Sequence, residues 1–229
     1  LDGCQLREQE LPYQAIVALN DNAATLHYQQ LQRRAPPERQ ALLIDAGAQR
    51  HGYASDITRT HAATEGPFAA LVQGMDALQQ SLCAAVRPGI DWRELHLTAH
   101  QLLAELLVEQ DLIDADPEQA VRDGLTNLFL PHGLGHLLGL QVHDVGGKLP
   151  DPDGPVLEPP AGHPFLRLTR VLEPGFVVTM EPGLYFIDSL LARGRQGQHA
   201  ARINWRGVQA LRACGGIRIE DNLLVTDNG

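Results

Sequence analysis

ALLIDAGAQRHGYASDITRT, residues 41–60, is the stretch that decides the fold class. Its opening, 41–45 (ALLID), is a short apolar run that ends in an acid and is followed by Ala46 and Gly47. Its close, 52–60 (GYASDITRT), is rich in β-branched residues, and Gly47 and Gly52 allow a turn between the two. The pair reads as an antiparallel hairpin. Each arm carries a carboxylate, Asp45 and Asp56. Strand periodicity puts Asp56 and Thr58 on one face, so Thr58 is expected to hydrogen-bond Asp56.

Working outward, residues 15–20 (AIVALN) are β-rich and lead through Asp21 and Asn22 into 24–28 (ATLHY). On the other side, 67–87 is helical in pattern, with Phe68, Leu71, Val72, Met75, Leu78, Leu82 and Val86 recurring at three- and four-residue steps. Pro88 and Gly89 end it. Asp91 and Glu94 suggest a capping box for a second helix that runs to about residue 110. Asp116 and Pro117 start a third, expected to end near Leu130. His96 and His100 lie four apart on the second helix, a spacing that can bind metal but that reads here as packing. Residues 146–169 form a proline-rich loop. Strand signals resume at 176–180 (FVVTM), with 184–187 continuing them. Residues 192–213, polar and arginine-bearing, are expected to wander over the surface. The last strand is 216–226 (GIRIEDNLLVT). Strands before and after a block of helices predict an α+β layered domain, helices on one face of a mainly antiparallel sheet.

Three of these apolar strands carry an acid where the pattern calls for core: Asp45, Glu181 and Glu220, with Asp56 on the strand that pairs with that of Asp45. A buried ionised carboxylate costs several kcal/mol unless a cation or a set of hydrogen bonds meets it. Four of them outnumber the nearby arginines. The segment 131–144, PHGLGHLLGLQVHD, adds His132, His136 and His143. Oxygen ligands with one imidazole suit a hard or borderline divalent ion such as manganese, cobalt or zinc, and four carboxylates can hold two ions by bridging. Arg218 shares a face with Glu220 and is placed to balance the charge. The glycines at 133, 135 and 139 are expected to let the backbone turn tightly.

Bulk properties narrow the field. The 229 residues are 44% hydrophobic, enough for a sizeable core, and the net charge is −10 with no basic run. Nucleic acid and anionic membranes reward clustered positive charge, so neither is expected as a partner. No segment approaches the roughly 20 apolar residues that span a bilayer. Cys4, Cys83 and Cys214 are scattered and odd in number, which speaks against a disulfide framework and for a reducing, cytoplasmic setting. Leu1 in place of a methionine, and Gly229 directly after a strand-like run, read as cut ends of a longer protein.

The order Asp45, Asp56, His136 in HGLGH, Glu181 in EPG and Glu220 in GGIRIED resembles the pita-bread metallopeptidases. Within them the phrases LHY, LIDAG, SDITRT, PHGLGH, GLQVHD and EPGLYFIDSLL look most like the bacterial-type proline dipeptidases (prolidases, or Xaa-Pro dipeptidases). The resemblance implies a curved, mainly antiparallel sheet with helices on its outer face, residues 1–229 forming one catalytic domain. It makes Asp45, Asp56, His136, Glu181 and Glu220 ligands of two divalent ions, manganese first, with cobalt or zinc as alternatives. Asp56 and Glu220 would contact or bridge both. It implies hydrolysis of Xaa-Pro dipeptides by a bridging hydroxide, with Glu181 taking the water's proton and His132 or His143 meeting the oxyanion. His27 or His143 would hold the substrate ends, Arg167 its carboxylate, and Arg218 would support the ligands from behind. Relatives of this type carry a further N-terminal domain not seen here, and the full-length protein is expected to be a homodimer. The rivals are aminopeptidase P or methionine aminopeptidase activity on the same scaffold, and a non-catalytic interaction module. EPGLYFIDSLL and the long excursion between Glu181 and Glu220 favour the dipeptidase, and the presence of all five ligands disfavours the module.

Overall fold

The computed structural model describes residues 7, 10–30, 32–151 and 153–228, so Leu1, Cys4 and Gly229 lie outside the described residues. In chain order the elements are β1 (Ile16–Leu19), β2 (Ala41–Ala46), β3 (Gln49–Arg50), β4 (Tyr53–Ala54), β5 (Ile57–Ala62), α1 (Pro67–Ala85), α2 (Trp92–Glu109) and α3 (Pro117–Arg122). They continue as β6 (Val177–Met180), β7 (Gly183–Tyr185), α4 (Asp188–Gln196), α5 (Trp205–Leu211), β8 (Gly216–Arg218) and β9 (Asp221–Leu224).

The hairpin expected over 41–60 is present. β2 pairs antiparallel with β5, Asp45 opposite Thr58, and the small β3–β4 ladder forms its tip. β1 adds to the other edge of β2, also antiparallel. Burial alternates along β2, Ala41, Leu43 and Asp45 inward and Ile44 and Ala46 outward, so Asp45 holds a core position as its pattern predicts. An antiparallel bridge between Thr58 and Glu220 joins β5 to the junction of β8 and β9. There β8 pairs with β7 and β9 with β6.

The helices pack behind this sheet. α1 turns Phe68, Leu71, Met75, Leu78 and Leu82 inward, and α2 turns in Trp92, Leu95, Ala99, Leu103 and Leu107. These join Val178, Met180, Ile217 and Ile219 of the strands in one core. Asp91 caps α2 by accepting from the Arg93 N–H, and the side chain that reaches back to it is Arg93 rather than Glu94. Among the described residues no helix is long and apolar enough to cross a membrane, and Cys83 and Cys214 are free.

Four expectations are corrected. The third helix stops at Arg122, because Gly124 takes a left-handed conformation (φ 72°) and only a short 3-10 turn, Leu125–Leu128, follows. The segment over 192–213 is not a surface excursion, for its arginines decorate helices that bury Leu191, Val208 and Leu211. Strand 216–226 is two strands with different partners, broken at Glu220. Residues 184–187 do not prolong β6, for β7 is a separate strand after the Glu181–Pro182 break.

Candidate active site

The four acids stand where strands end or change partner. Asp45 lies near the end of β2, Asp56 just before β5, Glu181 between β6 and β7, and Glu220 between β8 and β9. At such breaks the ladder no longer dictates direction, so the side chains of separate strands can converge. Gly47 permits the first of these breaks, since a Cβ there would sit 2.0 Å from the Ser55 carbonyl oxygen and 2.7 Å from the Tyr13 ring. Asp56, past the break, finds its backbone partners in a side chain. Its N–H donates to Asn222 Oδ1 (3.0 Å) and its carbonyl accepts from Asn222 Nδ2 (2.5 Å).

The histidine segment runs beside β6 almost as another strand. Leu138 N–H donates to the Val177 carbonyl, Thr179 N–H to that of His136, and Glu181 N–H to that of Leu134. Gly135 makes this approach possible, because a Cβ would lie 2.0 Å from the Thr179 carbonyl oxygen. None of Gly133, Gly135 and Gly139 has a positive φ, so close approach rather than tight turning accounts for them.

All ten residues singled out above line one open cleft of about 800 Å³: His27, Asp45, Asp56, His132, His136, His143, Arg167, Glu181, Arg218 and Glu220. Asp56, His136 and Glu220 each bring a donor atom within 4.8 Å of the others, and all three are buried. His136 Nδ1 bonds the Leu137 carbonyl (2.9 Å), which assigns its proton there and leaves the Nε2 lone pair facing Glu181 (3.4 Å) and Asp56 (3.7 Å). Arg218 is the buried cation of the set, 2.5 Å from Asp45 Oδ2 and 3.8 Å from Glu220.

Electrostatically the acids are undercompensated. Burial, before any neighbour, pushes Asp56 up to about 6 and Glu181 up to about 8, and it raises Glu220 well above the carboxylate range. Burial also drives His132 and His136 down to about 4, so both are neutral at neutral pH. One arginine against four carboxylates leaves a negative site that a divalent cation fits, with oxygen donors and one imidazole in the ligand form.

Thr58 departs from expectation. It shares the inward face with Asp56, but its hydroxyl donates to Glu220 Oε2 at 2.7 Å, because the Thr58–Glu220 bridge sets those two opposite. Two further residues, besides Asn222, were not found from sequence. The Tyr13 hydroxyl lies 2.6 Å from Asp45 Oδ1 and 2.5 Å from Asp56 Oδ1. Tyr185 links His132 Nε2 (2.9 Å) to the Arg218 guanidinium (3.2 Å). The tyrosine in EPGLY was the available signal for the second; Tyr13, remote in sequence, offered none. His143 stands exposed at the cleft with its ring edge-on to His136, centroids 4.4 Å apart.

With this geometry in hand, comparison places the chain among known proteins. Residues 3–227 match the model of metallopeptidase family M24. The chain is 56% identical over 219 residues to an Xaa-Pro dipeptidase of Stenotrophomonas maltophilia (strain K279a), covering 95% of this chain and 49% of that protein. It is 51% identical over 218 residues to an Xaa-Pro dipeptidase of Shewanella woodyi (strain ATCC 51908 / MS32), covering 95% and 50%. The chain thus spans about half the length of these curated relatives. Among solved structures it resembles a variant of Escherichia coli aminopeptidase P (TM-score 0.74, 28% identity, 96% of this chain and 43% of that one). It also resembles proline aminopeptidase P II from Yersinia pestis (TM-score 0.73, 30% identity, 96% and 44%). The expected pita-bread architecture, a curved antiparallel sheet backed by helices, is therefore the one observed.

Proposed function

Because this chain belongs to metallopeptidase family M24, we propose that it is the catalytic domain of a metal-dependent peptidase that cleaves the bond before a C-terminal proline in Xaa-Pro dipeptides. The observation that carries this reading is the gathering of four buried or half-buried carboxylates and the His136 lone pair about one cleft that offers a single buried arginine. Asp45, Asp56, His136, Glu181 and Glu220 would hold two divalent ions, manganese in the first instance. Such ions, when bound, lower the pKa of water and polarise the scissile carbonyl.

The chain's own groups divide the remaining work. Glu181, half-buried at the cleft, is the acid beside both His132 and His136, so it is placed to take the proton of the attacking water. Both ring nitrogens of His132 are engaged, Nδ1 by the Gly133 carbonyl and Nε2 by Tyr185. We therefore assign the developing oxyanion to His143, which faces the open cleft. Arg167, at the rim, would take the substrate's carboxylate, and His27 its amino end. Leu149, Val156 and Phe165 give the cleft an apolar wall suited to a pyrrolidine ring. Arg218 holds Asp45 and stabilises the negative cluster from behind.

A second reading, aminopeptidase P activity, is favoured by the likeness to solved aminopeptidase P structures. Paired assays separate the two. With added manganese, Ala-Pro should be hydrolysed and Ala-Pro-Ala spared, and a chelator should abolish turnover. Preferential cleavage of the tripeptide would establish the second reading, and turnover undiminished by chelator would refute both.

A further inference from the structure

Beyond the wall of the acid-lined cleft, among the described residues, one other group of side chains converges as metal ligands do. His96 and His100 stand one turn apart on the inner face of α2, and His163 comes to them from the proline-rich loop. The rings meet edge to face in all three pairs, with centroids 4.7 Å (His96–His100), 4.6 Å (His96–His163) and 4.5 Å (His100–His163) apart. One nitrogen of each lies within 4.8 Å of the other two. Packing of α2 alone explains two histidines in line. It does not explain the third, brought in from a different segment.

Nor is the cluster satisfied as a packed core. His96 Nε2 meets His163 Nδ1 at 2.9 Å, and His100 Nδ1 meets Thr126 Oγ1 at 2.9 Å. Among the described residues His96 Nδ1 and His100 Nε2 have no hydrogen-bond partner, although the two histidines are only 1% and 0% exposed. An orphaned buried polar atom costs about 1–3 kcal/mol, and leucine at either position would avoid it. Burial holds His96 down at about 3, and both His100 and His163 below the ordinary imidazole value. All three are thus neutral at neutral pH, which is the ligand form.

We propose that His96, His100 and His163 form a mononuclear site for a borderline divalent transition ion, zinc foremost, separate from the carboxylate centre. Three imidazoles with no carboxylate suit zinc, copper or nickel over manganese, magnesium or calcium. The bond from His100 Nδ1 to Thr126 is the outer hydrogen bond that orients such ligands and frees Nε2. Zinc–nitrogen bonds of about 2.0–2.1 Å in a tetrahedron place the nitrogens about 3.3 Å apart. His163, half-buried and on a loop, is the member of the triad best placed to adjust to that spacing. The His163 carbonyl accepts from the Leu166 N–H at 3.2 Å, and Leu166 and Arg167 line the cleft. An ion on the triad therefore fastens the Arg167 loop to α2.

The test removes the carboxylate centre first and reads metal rather than activity, so its outcome is independent of the proposed hydrolysis. An Asp56→Asn, Glu220→Gln double variant of the full chain is titrated with zinc against a competing chelator. It should retain one ion per chain, and cobalt in its place should give the visible bands of a tetrahedral nitrogen-rich site. Adding His163→Ala, a loop change that leaves the α2 core in place, should weaken zinc at least about 100-fold. If the double variant does not fold, metal analysis of zinc-loaded wild type against His163→Ala replaces it, with a difference of one ion per chain expected. No zinc on the double variant, or equal zinc with and without His163, overturns the proposal.

Discussion

The side-chain amide of Asn222 takes both backbone hydrogen bonds of Asp56, accepting from its N–H at 3.0 Å and donating to its carbonyl at 2.5 Å. Asp56 has left the β3–β4 ladder and not yet entered β5, so no strand could supply these bonds. Asn222, on β9, stands in for the missing strand and fixes where the carboxylate points. Asn222→Ala should weaken divalent-metal affinity about 10–100-fold while circular dichroism stays that of the parent. Saturating metal should restore most of the turnover. Affinity within twofold of wild type, measured by calorimetric titration, would show that Asp56 needs no such support.

Tyr13 raises a question of proton count. One hydroxyl lies against both Asp45 and Asp56, yet it has a single proton to give. Burial, then the two acids, raises the phenol far above its ordinary value, and burial lifts Asp56 to about 6. Below about pH 6 the metal-free pair is therefore held by two protons, the tyrosine's own and one on Asp56. Metal would take over that task. Tyr13→Phe should destabilise the metal-free chain by about 1–3 kcal/mol, a drop of several degrees in Tm, and the metal-loaded chain by much less. Equal losses with and without metal, by scanning calorimetry, would contradict this account.

The hairpin over 41–60 and the acids at strand ends were legible because each breaks a local pattern. A charge at an inward strand position announces itself within a few residues. Partners set by register across the sheet do not. Thr58 was placed on the right face, but its bond goes to Glu220, 162 positions away, through a bridge no local pattern encodes. Tyr13, Asn222 and His163 were missed for the same reason. The arginines of α4 and α5 hid the helices because they occupy the outer faces, while Leu191, Val208 and Leu211 supply the buried ones. Gly124 was a visible helix breaker inside the third helix, overridden by the periodicity around it.

Thr58 gives a direct check on the bridge. Its hydroxyl is fully buried and donates to Glu220 Oε2 at 2.7 Å, with Arg218 Nε 3.8 Å from that oxygen. Thr58→Val keeps the shape and deletes the donor, leaving the carboxylate to turn toward the arginine. Metal affinity should fall about 10–100-fold with little change in fold. Serine at the same position keeps the donor and should recover most of the loss. If serine and valine behave alike, the methyl group rather than the hydrogen bond is what Glu220 requires.

The titrating groups of the cleft predict a pH dependence whose sign depends on metal. Asp56 at about 6 and Glu181 at about 8 are both raised in the folded chain, burial being the first cause, and burial raises Glu220 as well. Unfolded, these acids titrate near 3.8 for Asp and 4.5 for Glu. Between those values and the folded ones the native state holds protons that the unfolded chain has released, so stability falls as pH rises through the window. His132 and His136, held down at about 4, and His96, His100, His143 and His163, also lowered by burial, act in the opposite sense until free imidazole, half charged at 6.5, has lost its proton by about pH 7.5. Above that pH the acids alone decide. The Tm of the metal-free chain should therefore decline from pH 7.5 to 8.5, as the folded chain gives up the Glu181 proton that the unfolded chain released near 4.5. Divalent metal demands the deprotonated ligands, so the loaded chain should not share the decline, and the gap between the two should widen with pH. Metal uptake near pH 6.5 should release protons, read as a heat that changes with the ionisation enthalpy of the buffer. A metal-free Tm that is flat or rising from pH 7.5 to 8.5 would mean that the carboxylates are already charged in the fold, with compensation from groups other than the ion.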